Sequence, residues 1–431
     1  MKIAVIGSGV SGLTSAYLLS QKHDVVVYEA SDRLGGHTAT IDVQYAGQSY
    51  AVDTGFIVFN DWTYPLFETL LAQLKVESQP TDMGFSVSCD ETGLEYSGDS
   101  LNTLFAQRRN IVNPRHWLMI KDILRFNKQA PLDVAKGGMF ETMTLGEYLT
   151  DHRYNDVFID KYLVPMGSAI WSASTSVMRN FPLQFFVKFF INHGLLSVNN
   201  RPQWRVVTGG SKSYIEPLTA SFKNNIRLST SITSITRHTG IDNDDEGGNG
   251  HVIISSERYG EEKYDQVVIA THSDQALALL SDASDREQQV LGDITYRNND
   301  VVLHTDDSLL PRNKKTWSSW NYRITDNTKG ENDNPPVLTY NMNILQGINA
   351  PCTFCVTLNS TDQIDPEKII GRYQYAHPVF SLPAIAAQQH WQDINGVNNT
   401  WFCGAYWANG FHEDGVKSAV RIAEKFGISL S

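Results

Sequence analysis

Gly7, Gly9 and Gly12 stand at a spacing that lets the chain turn tightly, bring its backbone against a pyrophosphate and pack a helix close on a strand. Glu29, 17 residues beyond Gly12, is an acid placed to accept ribose hydroxyls, and an acid there disfavours a 2′-phosphate. Together these four residues are chemistry for an adenine dinucleotide. Arg33 adds a fixed cation for a pyrophosphate, and Gly35 and Gly36 leave room for a ligand lying along the chain before His37. Near the other end, Gly404 and the run His412-Glu413-Asp414-Gly415-Val416 combine a glycine turn with a helix start. A helix start offers free N–H donors and partial positive charge to an electron-rich group.

Such groups need rigid elements to hold them. The apolar run before Gly7 reads as a buried strand, Leu13 to Ser20 as a helix start, and His23 to Tyr28 as a second strand that ends on Glu29. Asn225 to Ile235 and His251 to Ser255 read as hairpin strands, and Tyr264 to His272 as a strand ending in Ala-Thr. Asn399 to Trp407 gives a further strand and glycine ahead of the last helix. This is the pattern of an α/β dinucleotide-binding unit.

Ala30-Ser31-Asp32-Arg33-Leu34-Gly35-Gly36-His37 following Glu29, together with the closing Gly404 and Gly410 to Ala419 segments, resembles the superfamily of flavin amine oxidases, protoporphyrinogen oxidases and phytoene desaturases. Many members carry Arg where this chain has His37. The resemblance implies FAD, not NAD, on a Rossmann-like FAD-binding domain with an inserted mixed α+β substrate-binding cap. It implies that Ile232 contacts adenine and that residues from His412 to Val416 face the flavin ring, with His412 and Glu413 tuning it. Cys403 does not match the position of the covalent-flavin cysteine of monoamine oxidases, so the expected cofactor is non-covalent.

At 431 residues the chain suits two interleaved domains. The reading assigns 1–60, 200–290 and 395–431 to the FAD domain, and 61–199 and 291–394 to the substrate domain. A net charge of −12 argues against nucleic acid as a partner. The acidic stretch from Asp242 to Gly250 reads as a solvated hairpin loop and not a calcium site. Four cysteines fit a reducing compartment, and Cys352-Thr353-Phe354-Cys355, without a second pair, reads as packing within a strand and not as a zinc or redox element. No run is long enough to span a membrane, and the chain enters its first strand without a signal region. The expectation is therefore a cytoplasmic protein, with peripheral contact at the inner membrane surface left open.

Within 61–199 helical spacing recurs at Tyr64 to Leu74, Trp117 to Gln129, Leu145 to His152 and Asp156 to Leu163, whereas 291–394 is richer in strands. Phe181 to Leu196 is an aromatic, apolar helix that reads first as core, then as tunnel lining, then as a membrane-dipping segment. Segments around Trp171, Trp204 and Trp317 to Tyr322 resemble a bacterial amine-oxidase-like subgroup similar to polyunsaturated fatty acid isomerases and often found beside lipid-modifying enzymes. That resemblance implies hydride transfer from an unsaturated fatty acyl chain, giving desaturation or double-bond isomerisation, with Trp171 and Tyr322 as pocket candidates. Amine oxidation is the rival; Tyr406 and Trp407 offer aromatics for it, but no lysine can be placed beside the flavin. A flavin-binding partner in a lipid-modifying complex is the non-enzymatic rival.

Overall fold

The computed structural model describes residues 1–197, 201–238, 250–325 and 334–430; the acidic stretch, up to residue 249, lies outside them. Five parallel strands form the first sheet, in the order Ile226–Arg227, Asp24–Tyr28, Lys2–Ile6, Gln266–Ile269, Thr400–Phe402. The apolar strand Lys2–Ile6 is central because both its faces are covered. Ile3 and Val5 pack with Ala16 and Val416 of the helices Val10–Leu19 and His412–Lys425. Ala4 and Ile6 point the other way and pack with Ile235, Val252 and Tyr264 of a three-stranded antiparallel sheet. Alternation along one strand thus serves two layers, as a doubly covered parallel strand requires.

Register decides where the site falls. Ile6 lies opposite both Tyr28 and Ile269, and Ile269 lies opposite Phe402. The chain therefore leaves four strands at one level, and Gly7, Glu29, Ala270 and Gly404 come out along the same edge. Parallel sheets bind ligands in the crevice beyond their carboxyl ends, where neighbouring crossovers diverge.

A second, seven-stranded sheet runs Ile369–Pro378, Tyr296–His304, Cys355–Leu358, Val337–Asn341, Trp320–Ile324, Phe85–Cys89, Leu94–Ser97. All its pairs are antiparallel except Trp320–Ile324 with Phe85–Cys89. Its last two strands come from 61–199, so that insertion is not wholly helical. Val87 and Cys89 are buried while Ser86 hydrogen-bonds Asn321 at 2.8 Å, so these short strands are held by their sheet neighbours.

Helices Pro114–Val134, Leu145–Asp151, Val164–Trp171 and Leu183–Asn192 close the cap around an aromatic core. The apolar segment Phe181 to Leu196 is part of this core: Phe186, Val187 and Phe190 are buried, and the helix stops at Asn192 before Gly194, whose φ of +66° takes the left-handed C-terminal turn. Cys355 is buried in its strand and Cys352 lies just before it; among the described residues no group of three His, Cys, Asp or Glu could hold a metal. No described helix is long and apolar enough to cross a membrane.

Candidate active site

One cavity of about 750 Å³ runs from the carboxyl edge of the parallel sheet to the seven-stranded sheet of the cap. It is at the upper end of the size of ligand-binding clefts. Its first half is lined by Gly7, Ser8, Gly9, Val10, Ser11, Glu29, Gly35, Gly36, His37 and Ile232. Gly7 adopts φ +99°, and a Cβ there would lie 2.9 Å from the carbonyl oxygen of Ala270. A Cβ on Gly12 would lie 2.0 Å from the oxygen of Gly7, so this glycine lets helix and turn meet without itself lining the cavity. Helix Val10–Leu19 has Gly9 as its N-cap, no side-chain cap and no acid in its first turn. Its end, where Val10 and Ser11 line the cavity, is thus available to an anion. Glu29 accepts from the Ser8 amide at 3.0 Å and from the Ser31 amide at 2.8 Å and hydroxyl at 2.9 Å, which fixes the carboxylate beside Ile232 and Thr230 at one end of the cavity.

The second half is built by Trp171, Tyr296, Val301, Trp320, Tyr340, Leu345, Leu358, Tyr375, His377 and Phe380. Between the halves stand His37, His272 and His412. His37 lies 5.0 Å from the ring of Tyr375, 5.6 Å from that of His377 and 6.1 Å from that of His272. Burial, with the neighbouring imidazoles, pushes His37 down to about 3 and His377 to about 4, and burial lowers His272. The rings of His37, His272 and His377 are half-buried, and all three line the cavity. Asn299 donates to Nδ1 of His377 at 2.9 Å, which places the imidazole proton on Nε2. Asn359 in turn donates to Oδ1 of Asn299 at 2.9 Å. His412 stacks on Phe56 at 3.4 Å between centroids, and its Nε2 meets the hydroxyls of Thr38 at 3.1 Å and Tyr214 at 3.2 Å. Burial holds it far below the usual imidazole range. Among the described residues the lining includes no Lys, Arg or Asp, and its only acid is Glu29.

A family model described as "Flavin containing amine oxidoreductase" matches residues 10–341. The chain belongs to that family. It is a flavin-dependent oxidoreductase, and FAD is its cofactor. The fold is similar to the CLA-producing fatty acid isomerase from P. acnes, at TM-score 0.68 and 16% identity over 98% of both chains. It is also similar to a putative protoporphyrinogen oxidase from Exiguobacterium sp., at TM-score 0.68 and 16% identity over 99% of this chain and 98% of that one. Cyclohexylamine oxidase from Brevibacterium oxydans gives TM-score 0.64 and 15% identity over 99% of each. Among curated proteins, the carotenoid phi-ring synthase of Chlorobaculum tepidum is 24% identical over 239 residues, half of this chain and 34% of that protein, so the match spans about a third of the relative's length.

The residues present fit FAD. The uncapped helix start and the glycine floor are open to a pyrophosphate, and the Glu29 carboxylate and Ile232, which line the same cavity, could hold the adenosine end. Gly404 and His412 line the cavity where the sheet edge meets the cap. Other sequence-predicted positions lie elsewhere. Arg33 turns its guanidinium onto the carbonyls of Gly36 at 2.9 Å, Thr38 at 3.3 Å and Leu34 at 3.4 Å, bracing the Gly35–Gly36 turn without lining the cavity. Glu413 points away from the cavity and accepts from the amides of Leu66 at 3.1 Å and Phe67 at 2.9 Å. Val416 is core, and Gly415 is a spacer: a Cβ there would come within 2.7 Å of Val10 and 2.8 Å of Ser11. Trp171 lines the cavity, with Phe181 and Phe189 at 4.6 and 4.7 Å behind it. Tyr322 does not; two residues beyond Trp320 on the same strand, it packs with Val87, Tyr96 and Met119. Cys403 is buried with Sγ 3.4 Å from the Ser15 hydroxyl, behind the cavity wall. Tyr375 and His377 were not singled out from sequence, although Tyr373, Tyr375 and His377 alternate within one strand ahead of Pro378.

Proposed function

We propose that this flavoenzyme acts on an unsaturated fatty acyl chain, removing hydride from a methylene beside a double bond. The observation that carries this reading is the lining itself: among the described residues it holds no Lys, Arg or Asp and no acid but Glu29, and the inner wall is Ile170, Val301, Leu345 and Leu358 among aromatic rings. A charged ammonium group would find no carboxylate there, and burying it unpaired is costly. An acyl chain would fill the same space by displacing water from apolar surface. FAD, when bound, supplies the hydride acceptor. The protein's part is to align the chain, exclude water and keep the surroundings free of charge as positive character develops on the carbon. A hydride returned to another carbon of the same chain gives isomerisation; loss of a proton, with the electrons passed to an external acceptor, gives desaturation. The fatty acid isomerase that shares this fold over nearly its whole length supports the same substrate class.

The test is the visible spectrum of the anaerobic holoenzyme before and after addition of unsaturated fatty acids, with the lipid analysed afterwards. Lasting bleaching with a more unsaturated product identifies a desaturase; a rearranged product with the flavin still oxidised identifies an isomerase. Bleaching by amines and not by lipids would overturn the proposal.

A further inference from the structure

Residues 101–138 carry seven Lys and Arg against two Asp, in a chain whose net charge is −12. Their placement sharpens the contrast. In helix Pro114–Val134 both acids face inward: Asp122 accepts from the Asn155 amide at 2.9 Å, and Asp133 from the Tyr148 hydroxyl at 3.0 Å. The outward face carries Arg115, Lys121 and Lys128 among exposed Trp117, Leu118, Leu124 and Leu132. The turn before it, Arg108–Val112, exposes both its arginines, with Ile111 50% and Val112 82% accessible. Among the described residues, ion-pair geometry joins none of Arg108, Arg109, Arg115, Lys121 and Lys128 to an acid. Trp117 is pinned to this turn by a 2.8 Å hydrogen bond from Nε1 to the carbonyl of Ile111.

We propose that this surface docks the enzyme on an anionic lipid bilayer. Large apolar side chains interleaved with unpaired cations, on a helix whose acids are turned inward, match the interface of such a bilayer: side chains enter the headgroup boundary while the cations meet lipid phosphate and carboxylate. Such a face has no evident reason to stay in water, where its leucines are an aggregation liability. The inner face of the same helix buries Phe126 in the aromatic core that also holds Trp171, a wall of the cavity. Helix Pro114–Val134 therefore has lipid on one side and the substrate-domain core on the other.

Binding is independent of turnover, so this inference and the acyl-chain reading fail separately. The experiment is co-sedimentation of the full-length holoenzyme with vesicles of phosphatidylcholine alone or mixed with phosphatidylglycerol, with a vesicle-free control. We expect sedimentation only with the anionic vesicles, falling as salt is raised. Each basic residue near such a surface contributes about 1 kcal/mol, so R115Q/K121Q/K128Q is expected to bind on the order of 100-fold more weakly. V112D/L124D is expected to lose binding as well, with unchanged flavin content and melting temperature in both variants. Equal binding of parent and folded variants, equal binding to neutral vesicles, no binding to anionic vesicles, or sedimentation without vesicles would each overturn the proposal.

Discussion

Replacing Glu413 with alanine separates two roles for the residue beside His412. Its carboxylate stands in for a missing helix cap: helix Pro65–Gln73 begins at Tyr64, which supplies no side-chain acceptor, and the amides of Leu66 and Phe67 instead donate to Glu413 at 3.1 and 2.9 Å. Phe67 is fully buried, so no water can replace the lost partner there. Leaving the Phe67 amide without an acceptor costs about 1–3 kcal/mol, and losing the partner of the half-buried Leu66 amide costs less. Part of this is offset because the carboxylate is itself buried, which raises its pKa. The net expectation for E413A is a loss of about 1–3 kcal/mol, which at an unfolding entropy of roughly 0.9 kcal/mol per kelvin for a chain of this length lowers the melting temperature by roughly 1–3 °C. E413Q keeps one good acceptor and should lose about half as much. Thermal unfolding of the holoenzyme followed by circular dichroism measures the first effect, and dye-equilibrated titration measures the flavin potential. E413A should melt early with its potential unmoved. If it melts with the parent and the potential shifts, the carboxylate acts on the flavin and the capping argument fails.

Three further perturbations test neighbouring parts of the site. G7A places a Cβ 2.9 Å from the Ala270 carbonyl at φ +99°, and the purified protein should be colourless while retaining its far-ultraviolet spectrum. H412F preserves the stack on Phe56 but removes the imidazole held by Thr38 and Tyr214, and should move the flavin potential without removing the cofactor. Burial pushes Asp414 up to about 7, so the folded protein holds its proton at pH values where the unfolded chain has lost it. Stability from this group is therefore greatest below pH ~4 and falls as pH rises towards ~7, by up to roughly 1.4 kcal/mol per pH unit. D414N should flatten that slope in urea titrations, because both amides that Asp414 accepts, Phe411 and Asn409, bond to one oxygen that asparagine retains.

The two halves of the cavity differ in how much of them can be read from sequence. The nucleotide half depends on backbone geometry, and backbone geometry restricts residue type: a turn at φ +99°, or a turn carbonyl that would lie 2.0 Å from a Cβ on the helix, leaves glycine and little else. Gly7, Gly12 and the Gly35–Gly36 pair are visible for that reason, whereas Gly9, where an added Cβ would meet nothing within 4 Å, and Glu29 are legible only from their spacing to these glycines. The substrate half depends on which strands become neighbours. Tyr340 faces Trp320 across one pair, while Tyr375 and His377 arrive on an edge strand paired with Tyr296–His304. Nothing local to any of these segments announces the order of the sheet. Tyr322 shows the limit clearly: alternation puts it on the same face as Trp320, but two residues of rise, ~6.6 Å, carry it out of the cavity and into another cluster. Glu413 fails differently, since periodicity cannot tell that its carboxylate would reach the start of another helix.

The neutrality of the cavity also sets how the reaction should respond to pH. On the proposed reading, hydride leaves an allylic carbon that gains positive character, and a cation close to it would oppose that step. His37 and His377, held down to about 3 and about 4, carry no proton across the physiological range, and burial lowers His272 in the same direction. Their protonation on acidification would put positive charge beside the reacting carbon, so the rate should fall only as pH drops towards those values. A base with a pKa near 4 is also a weak proton acceptor at pH 7. That favours the redox-neutral outcome, in which hydride returns and no proton has to be stored, over desaturation. We therefore expect single-turnover rates to be flat from pH ~5.5 to 8 and unchanged in that shape in H377F. A limb near the ordinary histidine pKa of ~6.5 that disappears in H377F would mean His377 titrates in contact with water and works as the base, and the picture of an uncharged cavity would have to be abandoned.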